Sequence, residues 1–248
     1  MHTVTQPVDA SSKAVSPAPA RVAVAGATGY TGQELLRVLA RHPAVTVTAA
    51  MSSGQAGGSA RRLPALARLW DGEIAPLLDA GLLVAGADII VDAKSGVSGA
   101  GKTPSERTHF CEVHGSLSAY GVFNHRHGAE IEQGLGREVT FTPHLIPIDR
   151  GILSTIYVRV APGTTEDALA AAYERAYAGA TFVRLTGSSL PEIKHVAHTN
   201  FCDIGWRVDP SGRVILVSVI DNLVKGAAGS AVQNLNVMLG IDERTGLL

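Results

Sequence analysis

Three glycines spaced three residues apart are the first residues in this sequence whose type and spacing indicate a chemistry. Gly26, Gly29 and Gly32 follow a short apolar run at residues 21–25 and lead into leucines at helical spacing. In a strand–turn–helix unit, such glycines permit a tight turn and let a dinucleotide pyrophosphate approach backbone N–H groups at the helix N-terminus. The spacing departs from the commoner G-x-G-x-x-G, so a glycine-rich turn without a ligand is the alternative.

The residues after the second predicted strand bear on which dinucleotide would bind. Residues 45–50 form an apolar and threonine-rich run that ends without Asp or Glu, and Ser52 and Ser53 follow it. A basic pair, Arg61 and Arg62, comes shortly afterwards. An acidic residue here would bind a ribose 2′-hydroxyl, and its absence leaves space for a 2′-phosphate. The sequence therefore predicts NADP rather than NAD.

A second segment of small residues, 95–101, follows the apolar run at residues 87–91. Its glycines and serines indicate a close approach of the backbone to another group. A glycine-rich hairpin is the alternative that the composition leaves open.

The elements that would position these segments follow from hydrophobic periodicity. Residues 21–51 read as strand, helix and strand, which is the start of a βαβ unit. Residues 165–177 predict a helix capped by Thr164 or Thr165, and residues 226–239 predict one C-terminal helix. Further strands are predicted at 87–91, 139–142, 151–160, 181–185 and 214–220. We therefore expect an α/β dinucleotide domain of the Rossmann type followed by a mixed α+β domain.

Four regions follow from this pattern. Residues 1–20 are rich in Ser, Pro and Ala and lack the features of a signal peptide, so we expect a disordered lead. Residues 21–88 would form a partial dinucleotide-binding domain and residues 89–220 a substrate and dimerisation domain. Residues 221–248 would return to the cofactor domain as a C-terminal helix.

Composition excludes several function classes. Lys and Arg number 21 against 22 Asp and Glu in 248 residues, so no bulk charge attracts nucleic acid or anionic lipid. No uncharged run reaches the ~18 residues that span a membrane. Two cysteines cannot build a disulfide framework, which favours a reducing compartment and a cytoplasmic location. The carboxylates near the histidines lack a matching ligand cluster, so no metal site is predicted.

Five blocks of the sequence, in order, resemble the N-acetyl-γ-glutamyl-phosphate reductases of arginine biosynthesis. The chain is similar, more distantly, to aspartate-semialdehyde dehydrogenases. The blocks are VAVAGATGYTGQELLRVL (22–39), VDAKSGVSGAGK (91–102), AYGVFNHRHGAEIEQ (119–133), TFTPHLIPIDRGILSTIYV (140–158) and DNLVKGAAGSAVQNLN (221–236). The resemblance implies an NADP-binding Rossmann domain, a substrate and dimerisation domain, and a small-molecule acyl phosphate as substrate. It also implies a homodimer or homotetramer with neither nucleic acid nor membrane as partner.

The chemistry that the resemblance implies is reductive dephosphorylation through a cysteine thioester. Capture of the acyl group divides one difficult step into two easier ones. The family histidine carries over to His125, with His127 as a supporting contact, and a neutral imidazole suits a general base near pH 7. The alternative is that both histidines lie on one strand face as polar packing residues.

The resemblance also implies binding residues in the other blocks. Substrate contacts carry over to Lys94, Ser95, Ser98, His144 and Arg150. Cofactor contacts carry over to Gly26, Thr28, Gly29, Tyr30, Thr31, Gly32, Ser52, Ser53, Gly99, Asn222, Lys225 and Gly226. Two alternatives remain open. Arg150 either clamps a carboxylate or phosphate or forms a structural ion pair with Asp149 or another acid, and helix capping alone would explain Asp221 and Asn222 without any ligand.

One departure from the family concerns the nucleophile. The block that resembles NPGCYPT in relatives is absent, and the flanking family segments meet near Leu77 and Leu78. We infer that on the order of 100 residues are missing there. Cys111 and Cys202 each stand beside an acidic residue, which raises a thiol pKa, so both are expected to be ordinary thiols.

Three readings follow. The first is an NADP-dependent reductase of N-acetyl-γ-glutamyl phosphate. The second is a catalytically inactive, internally deleted relative whose second domain still dimerises through its sheet. The third, an aspartate-semialdehyde dehydrogenase, is less favoured because the NHRH and PHLIPIDRG segments resemble the glutamyl-phosphate branch more closely.

Overall fold

The first folded unit is small and parallel. The computed structural model describes residues 19–25, 30–51 and 87–248. Strand β1 (Ala20–Ala25), helix α1 (Tyr30–Leu39) and strand β2 (Val45–Met51) follow one another, and the two strands pair in parallel. Val24 of β1 and Val38 of α1 are buried against each other's elements. The predicted strand, helix and strand are confirmed.

A mixed sheet dominates residues 87–248. Its seven strands are β3 (Ile90–Gly96), β4 (Ser118–Ala119), β5 (Thr140–Ile146), β6 (Ile152–Arg159), β7 (Val183–Gly187), β8 (Cys202–Val208) and β9 (Arg213–Ile220). They lie in the order β4-β5-β3-β6-β9-β8-β7. The pairs β3–β5 and β7–β8 are parallel, and the other neighbours are antiparallel. This is the α+β second domain that the sequence predicted.

Helices accompany both units. They are α2 (Phe110–Val113), α3 (Arg126–Leu135), α4 (Glu166–Ala176) and α5 (Gly229–Met238), with a π-helical turn at Val224–Ala228. Short 3-10 turns lie at Val97–Ala100, Glu106–Thr108 and Ile193–His195. In the described part of the chain, none of the helices is long and apolar enough to cross a membrane.

One face of the large sheet carries the main core. A row of neighbouring residues across four strands, Val91, Ile156, Leu216 and Trp206, is buried there. Helices α3 and α4 cover this face, and the ring of Tyr173 in α4 stacks on Trp206 at 4.8 Å between centroids. Burial of these apolar side chains is the main source of the domain's stability.

Among the residues that the structure describes, the opposite face is covered at one end only. Val217 and Val219 pack there against Val196 of the segment between β7 and β8. At the other end, Ile90, Tyr157 and Ile215 form a second row of register partners. Each of these residues is next in sequence to a residue of the core row, and successive residues of a strand point to opposite faces of the sheet. The three side chains therefore lie on the face opposite the core, where they are 38–40% exposed.

Helix α5 belongs to the first unit rather than to the large sheet. Val232 of α5 is fully buried among Val24, Val38 and Val45. Helix α5 therefore packs on the first unit, and the domain bounds expected from the sequence stay predictions.

Several sequence predictions were wrong in extent. The strand predicted at residues 87–91 begins at Ile90 and continues to Gly96. Hydrogen bonds to β5 and β6 on its two sides keep residues 92–96 extended, although small residues in this segment have a low strand propensity. The single helix predicted at residues 226–239 is instead the π-helical turn followed by α5. Helix α3 and strand β8 were not predicted. The junction at Leu77 and Leu78 lies outside the described residues.

Candidate active site

The small-residue segment after β3 lies directly against the loop between β5 and β6. The amide of Gly96 donates to the Gly151 carbonyl at 2.8 Å, and the amide of Val97 donates to the Ile148 carbonyl at 2.8 Å. A Cβ on Gly96 would lie 2.9 Å from the Ile148 oxygen. The close backbone approach predicted from the small residues is therefore an approach of this chain to itself.

Asn222 joins these two loops from the end of β9. Its side-chain oxygen accepts from the amide of Gly151 at 2.7 Å, and its side-chain nitrogen donates to the Ser98 hydroxyl at 2.9 Å. Ser95 is close by, because a Cβ on Gly99 would lie 3.0 Å from its hydroxyl oxygen. The structure thus brings together four of the predicted site residues, Ser95, Ser98, Gly99 and Asn222, and their roles toward a ligand stay predictions.

Arg150 lies in the same junction, and two acidic side chains hold its guanidinium. One terminal nitrogen is 2.7 Å from a carboxylate oxygen of Glu34 in α1, and the other is 3.2 Å from a carboxylate oxygen of Asp221. The structural ion pair left open by the sequence is therefore present, with Glu34 and Asp221 as the acids. A substrate-binding role for Arg150 stays a prediction.

Glu34 was not singled out from the sequence. Its other carboxylate oxygen accepts from Arg37 at 2.6 Å and 2.8 Å, and the residue is only 5% exposed. Burial alone would raise the pKa of Glu34, but the hydrogen bonds and charges of Arg37 and Arg150 outweigh burial and lower it. The available signal was its spacing, because Glu34 stands one helical turn before the buried Val38.

Asp221 begins the segment that leads to α5. It is fully buried, and its carboxylate accepts from the amides of His198, Leu223 and Val224 at 2.7–2.9 Å. The bonds to Leu223 and Val224 cap the π-helical turn, in line with the capping alternative for Asp221. Together with Arg150, these donors give the buried carboxylate of Asp221 four hydrogen-bond partners.

The remaining predicted cofactor residues divide between exposed and interior positions. Tyr30 and Thr31 are exposed in the first turn of α1, whereas Gly32 is buried. Gly26, Thr28, Gly29, Ser52 and Ser53 lie outside the described residues. A parallel β1–α1–β2 unit whose helix begins just after the glycine turn fits a dinucleotide at the start of α1.

Lys225 and Gly226 stand beside each other with different surroundings. Gly226 is exposed in the π-helical turn. The Lys225 ammonium donates to the side-chain oxygen of Gln233 at 2.9 Å and lies 5.6 Å from the centre of the Phe182 ring. Burial lowers the pKa of Lys225. These contacts direct the lysine toward the interior in this conformation.

Lys94 and His144 form a separate cluster with Asp92. They are register partners on β3 and β5, and Asp92 contacts both, 2.5 Å from the Lys94 ammonium and 3.0 Å from the His144 ring nitrogen Nδ1. All three side chains point to the sheet face opposite Val91. The structure therefore separates these two predicted substrate residues from Ser95, which lies on the other face.

His125 lies at the N-terminus of α3, which contradicts the alternative that the two histidines share a strand face. Its Nδ1 accepts from the amide of His127 at 3.2 Å and caps the helix. Its ring packs edge-on against Tyr120 and Phe141, each at 5.4 Å between centroids. Because Nδ1 is an acceptor, the proton of the neutral ring is on Nε2.

Both histidines are shifted toward the neutral form. Burial is the main cause that lowers the pKa of His125, and the charges of His127 and Arg126 add to it while Glu130 opposes it. Burial also lowers the pKa of His127, against the attraction of Glu130. A His125 ring that is neutral near pH 7 can exchange a proton with a bound group.

The histidine site contacts β5 near the start of that strand, whereas the loop junction follows the end of β5. Phe141, against which His125 packs, is five residues before Ile146 at the end of β5, or about 16 Å along the strand. The predicted site residues that the structure describes thus lie at the junction, in the Asp92 cluster, at the N-terminus of α3, in the first turn of α1 and in the π-helical turn.

Neither cysteine has the surroundings of an activated nucleophile. Cys202 on β8 lies 3.4 Å from the Ser218 hydroxyl, and burial raises the pKa of its thiol. Cys111 is exposed on the four-residue helix α2. Among the residues that the structure describes, no group of three His, Cys, Asp or Glu side chains could hold a metal ion.

Comparisons with known families match both units. Residues 21–100 match the semialdehyde dehydrogenase NAD binding domain, and residues 71–222 match the semialdehyde dehydrogenase dimerisation domain. The fold is similar to that of aspartate semialdehyde dehydrogenase II from Vibrio cholerae, solved in complex with ASA. The TM-score is 0.65 at 16% identity, over 90% of this chain and 98% of that one.

Curated relatives are more similar in sequence. N-acetyl-gamma-glutamyl-phosphate reductase from Desulforapulum autotrophicum is 52% identical, over 70% of this chain and 52% of the relative. The protein of that name from Rhodospirillum rubrum is 53% identical, over 69% of this chain and 51% of the relative. The chain therefore spans about half the length of the curated relatives it matches, which is consistent with the segment that the sequence lacks.

Proposed function

This chain belongs to the semialdehyde dehydrogenase family, and on that premise we propose that it is built for NADPH-dependent reductive dephosphorylation of N-acetyl-γ-glutamyl phosphate. The product would be N-acetylglutamate semialdehyde, in arginine biosynthesis. The observation that carries this proposal is the identity of about 50% to reductases of that name over about 70% of this chain.

His125 is the proposed catalytic residue, with His127 as its support. The Nε2–H group of a neutral, half-buried ring can donate a hydrogen bond to an oxygen that gains negative charge in the transition state. The Nδ1 bond to the His127 amide supports this role, because it fixes both the tautomer and the ring orientation. To act as a base at Nε2, the ring would have to release that bond.

NADP is the proposed cofactor, and when bound it would supply the hydride. The residues that would hold it are Tyr30, Thr31 and Gly32 at the start of α1, the glycines that precede them in the sequence, and Ser52 and Ser53, which follow β2 in the sequence. The choice of NADP over NAD is supported by the absence of an acidic residue at the end of β2, residues 45–51. Titration of the protein with NADPH and NADH, followed by nucleotide fluorescence, would show tighter binding of NADPH.

An inactive, internally deleted relative is the second candidate, and the missing nucleophile block favours it. Turnover in the reverse direction separates the two: purified chain, NADP⁺, phosphate and N-acetylglutamate semialdehyde, read at the NADPH absorbance after an intact-mass check. Turnover that is lost in His125→Ala supports the reductase, and alkylation of Cys111 or Cys202 would then identify the nucleophile. No turnover at the confirmed mass supports the inactive relative.

A homodimer or homotetramer formed through the open end of the large sheet is the proposed assembly. The match to a dimerisation domain supports oligomerisation, and the exposed row of Ile90, Tyr157 and Ile215 supports this face. We also propose a cytoplasmic location, which the free thiols of Cys111 and Cys202 support.

A further inference from the structure

A continuous chain of charges links the first unit to the loops of the second. Arg37 and Glu34 of α1, Arg150 of the β5–β6 loop, and Asp221 after β9 contact one another in that order. Two guanidinium groups and two carboxylates make the chain neutral. We call this set the junction cluster.

Three of the four side chains of the junction cluster are largely buried. Asp221 is fully buried and Glu34 is 5% exposed, and the Arg150 side chain between them is 16% exposed. A guanidinium can donate to two carboxylates at once because its donors form a rigid planar fork. Removing one partner would leave a buried charge uncompensated, so the arrangement is strongly favoured once formed.

The loop that carries Arg150 also fixes the small-residue segment after β3. Residues 148–151 accept hydrogen bonds from the amides of Gly96 and Val97 and from the hydroxyl of Ser98. The same loop is thus bound to α1 through Arg150 and to the Val97–Ala100 turn through its carbonyl groups.

We propose that Arg150 is a positioning residue: through Glu34 and Asp221 it sets the Val97–Ala100 turn relative to the first turn of α1. The inference rests on the proposed function and on the expectation that Gly99 in the one turn and Tyr30 in the other contact the same dinucleotide. Arg150 would thereby act on cofactor binding without touching the cofactor, and its guanidinium would be unavailable to bind substrate.

Amide hydrogen exchange of the ligand-free protein tests the coupling. In Glu34→Gln the charge that holds Arg150 to α1 is lost, and in Arg150→Lys a single ammonium replaces the fork. Both changes are expected to speed exchange of the Gly96 and Val97 amides by about tenfold, although Glu34 lies on a different element from those amides. Unchanged exchange at Gly96 and Val97 in both variants would overturn the proposal.

A matched control separates positioning from general loss of stability. Arg184 binds the buried carboxylate of Asp203 at 2.6 Å and 2.9 Å, at the β7–β8 edge of the same sheet. Arg184→Lys is expected to leave exchange at Gly96 and Val97 as in the wild type. Equal acceleration at these amides in Arg184→Lys would also overturn the proposal, because it would show a global effect.

Nucleotide affinity provides the second readout. Glu34→Gln and Arg150→Lys are expected to raise the NADPH dissociation constant by about tenfold, whereas Arg184→Lys leaves it unchanged. A role in stability alone would lower the unfolding midpoint without changing that constant. A wild-type chain that binds no dinucleotide would contradict the proposed function, and hydrogen exchange would then decide the positioning role by itself.

Discussion

At the scale of single residues, His125 illustrates how one ring can serve structure and chemistry through different atoms. Its Nδ1 completes the N-terminus of α3, where the helix would otherwise leave the His127 amide without a partner. Its Nε2 stays available to a ligand. Because both roles need the neutral ring, protonation would remove the cap and change the chemistry together.

The first prediction follows from this coupling and concerns pH. The pKa of His125 is lowered in the folded protein, mainly by burial, while the unfolded chain titrates near the ordinary value of 6.5. As pH falls through that value, the unfolded chain takes up a proton that the folded protein does not, so the free energy of unfolding decreases until pH passes the lowered pKa. His125→Asn, which cannot titrate, is expected to lose less stability between pH 7.5 and pH 5.5 in urea denaturation.

A second variant separates titration from capping. An Asn side chain can accept a hydrogen bond from the His127 amide as His125 does, whereas Ala cannot. The free energy of unfolding of His125→Ala at pH 8 is therefore expected to be about 1 kcal/mol lower than that of His125→Asn. Both variants should show the same shallow pH dependence. A dependence as steep as that of the wild type in both would contradict the assignment of the effect to this ring.

The residues of the junction show where prediction from sequence stops. The small residues at 95–99 and the capping role of Asp221 are local properties, and the sequence indicated both. The partners of Arg150 are not local, since Glu34 is 116 positions away along the chain and Asp221 is 71. Spacing could indicate that Glu34 faces inward, but only the fold determines which cation it meets.

At the scale of elements, prediction succeeded where periodicity and caps agree. Thr165, one of the two caps that the sequence left open, caps α4 by accepting from the amide of Ala168. Helix α3 was missed because His125 is an uncommon cap and glycines lie within the helix. The extension of β3 was missed because its central position between β5 and β6, rather than its composition, makes it a strand.

Two glycines in helices give a prediction at the scale of elements. Gly229 starts α5, and a Cβ there would lie 2.2 Å from the Asn200 side-chain oxygen and 2.7 Å from a methyl carbon of Val224. Gly229→Ala is therefore expected to destabilise the protein by about 2 kcal/mol, despite the better helix propensity of alanine. Asn200→Ala added to it should recover part of the loss, because it removes the closer atom.

The matched control is a glycine in an open helical position. Gly134 of α3 has nothing within 4 Å of an added Cβ. Gly134→Ala is expected to stabilise the protein by about 0.5 kcal/mol, through helix propensity and a smaller unfolded ensemble. Denaturant midpoints that fall equally in Gly134→Ala and Gly229→Ala would contradict the packing argument for Gly229.

At the scale of the whole molecule, the residues that the structure describes form two sheets, and helix α5 and the junction cluster connect them. Helix α5 packs with β1, α1 and β2, and the junction cluster adds charged contacts between α1 and the large sheet's loops. The large sheet has its own core in residues 89–216. If the chain is an inactive relative, the second domain is therefore the part that it would retain. The sheet face that carries Tyr157 would be exposed in an active reductase and in an inactive relative alike.

Oligomerisation through that face yields the last prediction. Tyr157 is the centre of the exposed row, with Ile90 on one side and Ile215 on the other. A carboxylate there would be buried without a partner in a dimer, so Tyr157→Glu is expected to weaken self-association by about 2 kcal/mol or more, about thirtyfold in the dissociation constant. Val237→Glu, at a residue of α5 that is 62% exposed, is the control and should associate as the wild type does. Sedimentation equilibrium measures all three proteins, and a Tyr157→Glu chain that associates like the wild type would place the interface on another surface. Because this prediction needs neither cofactor nor nucleophile, it holds equally for an active reductase and for an inactive relative.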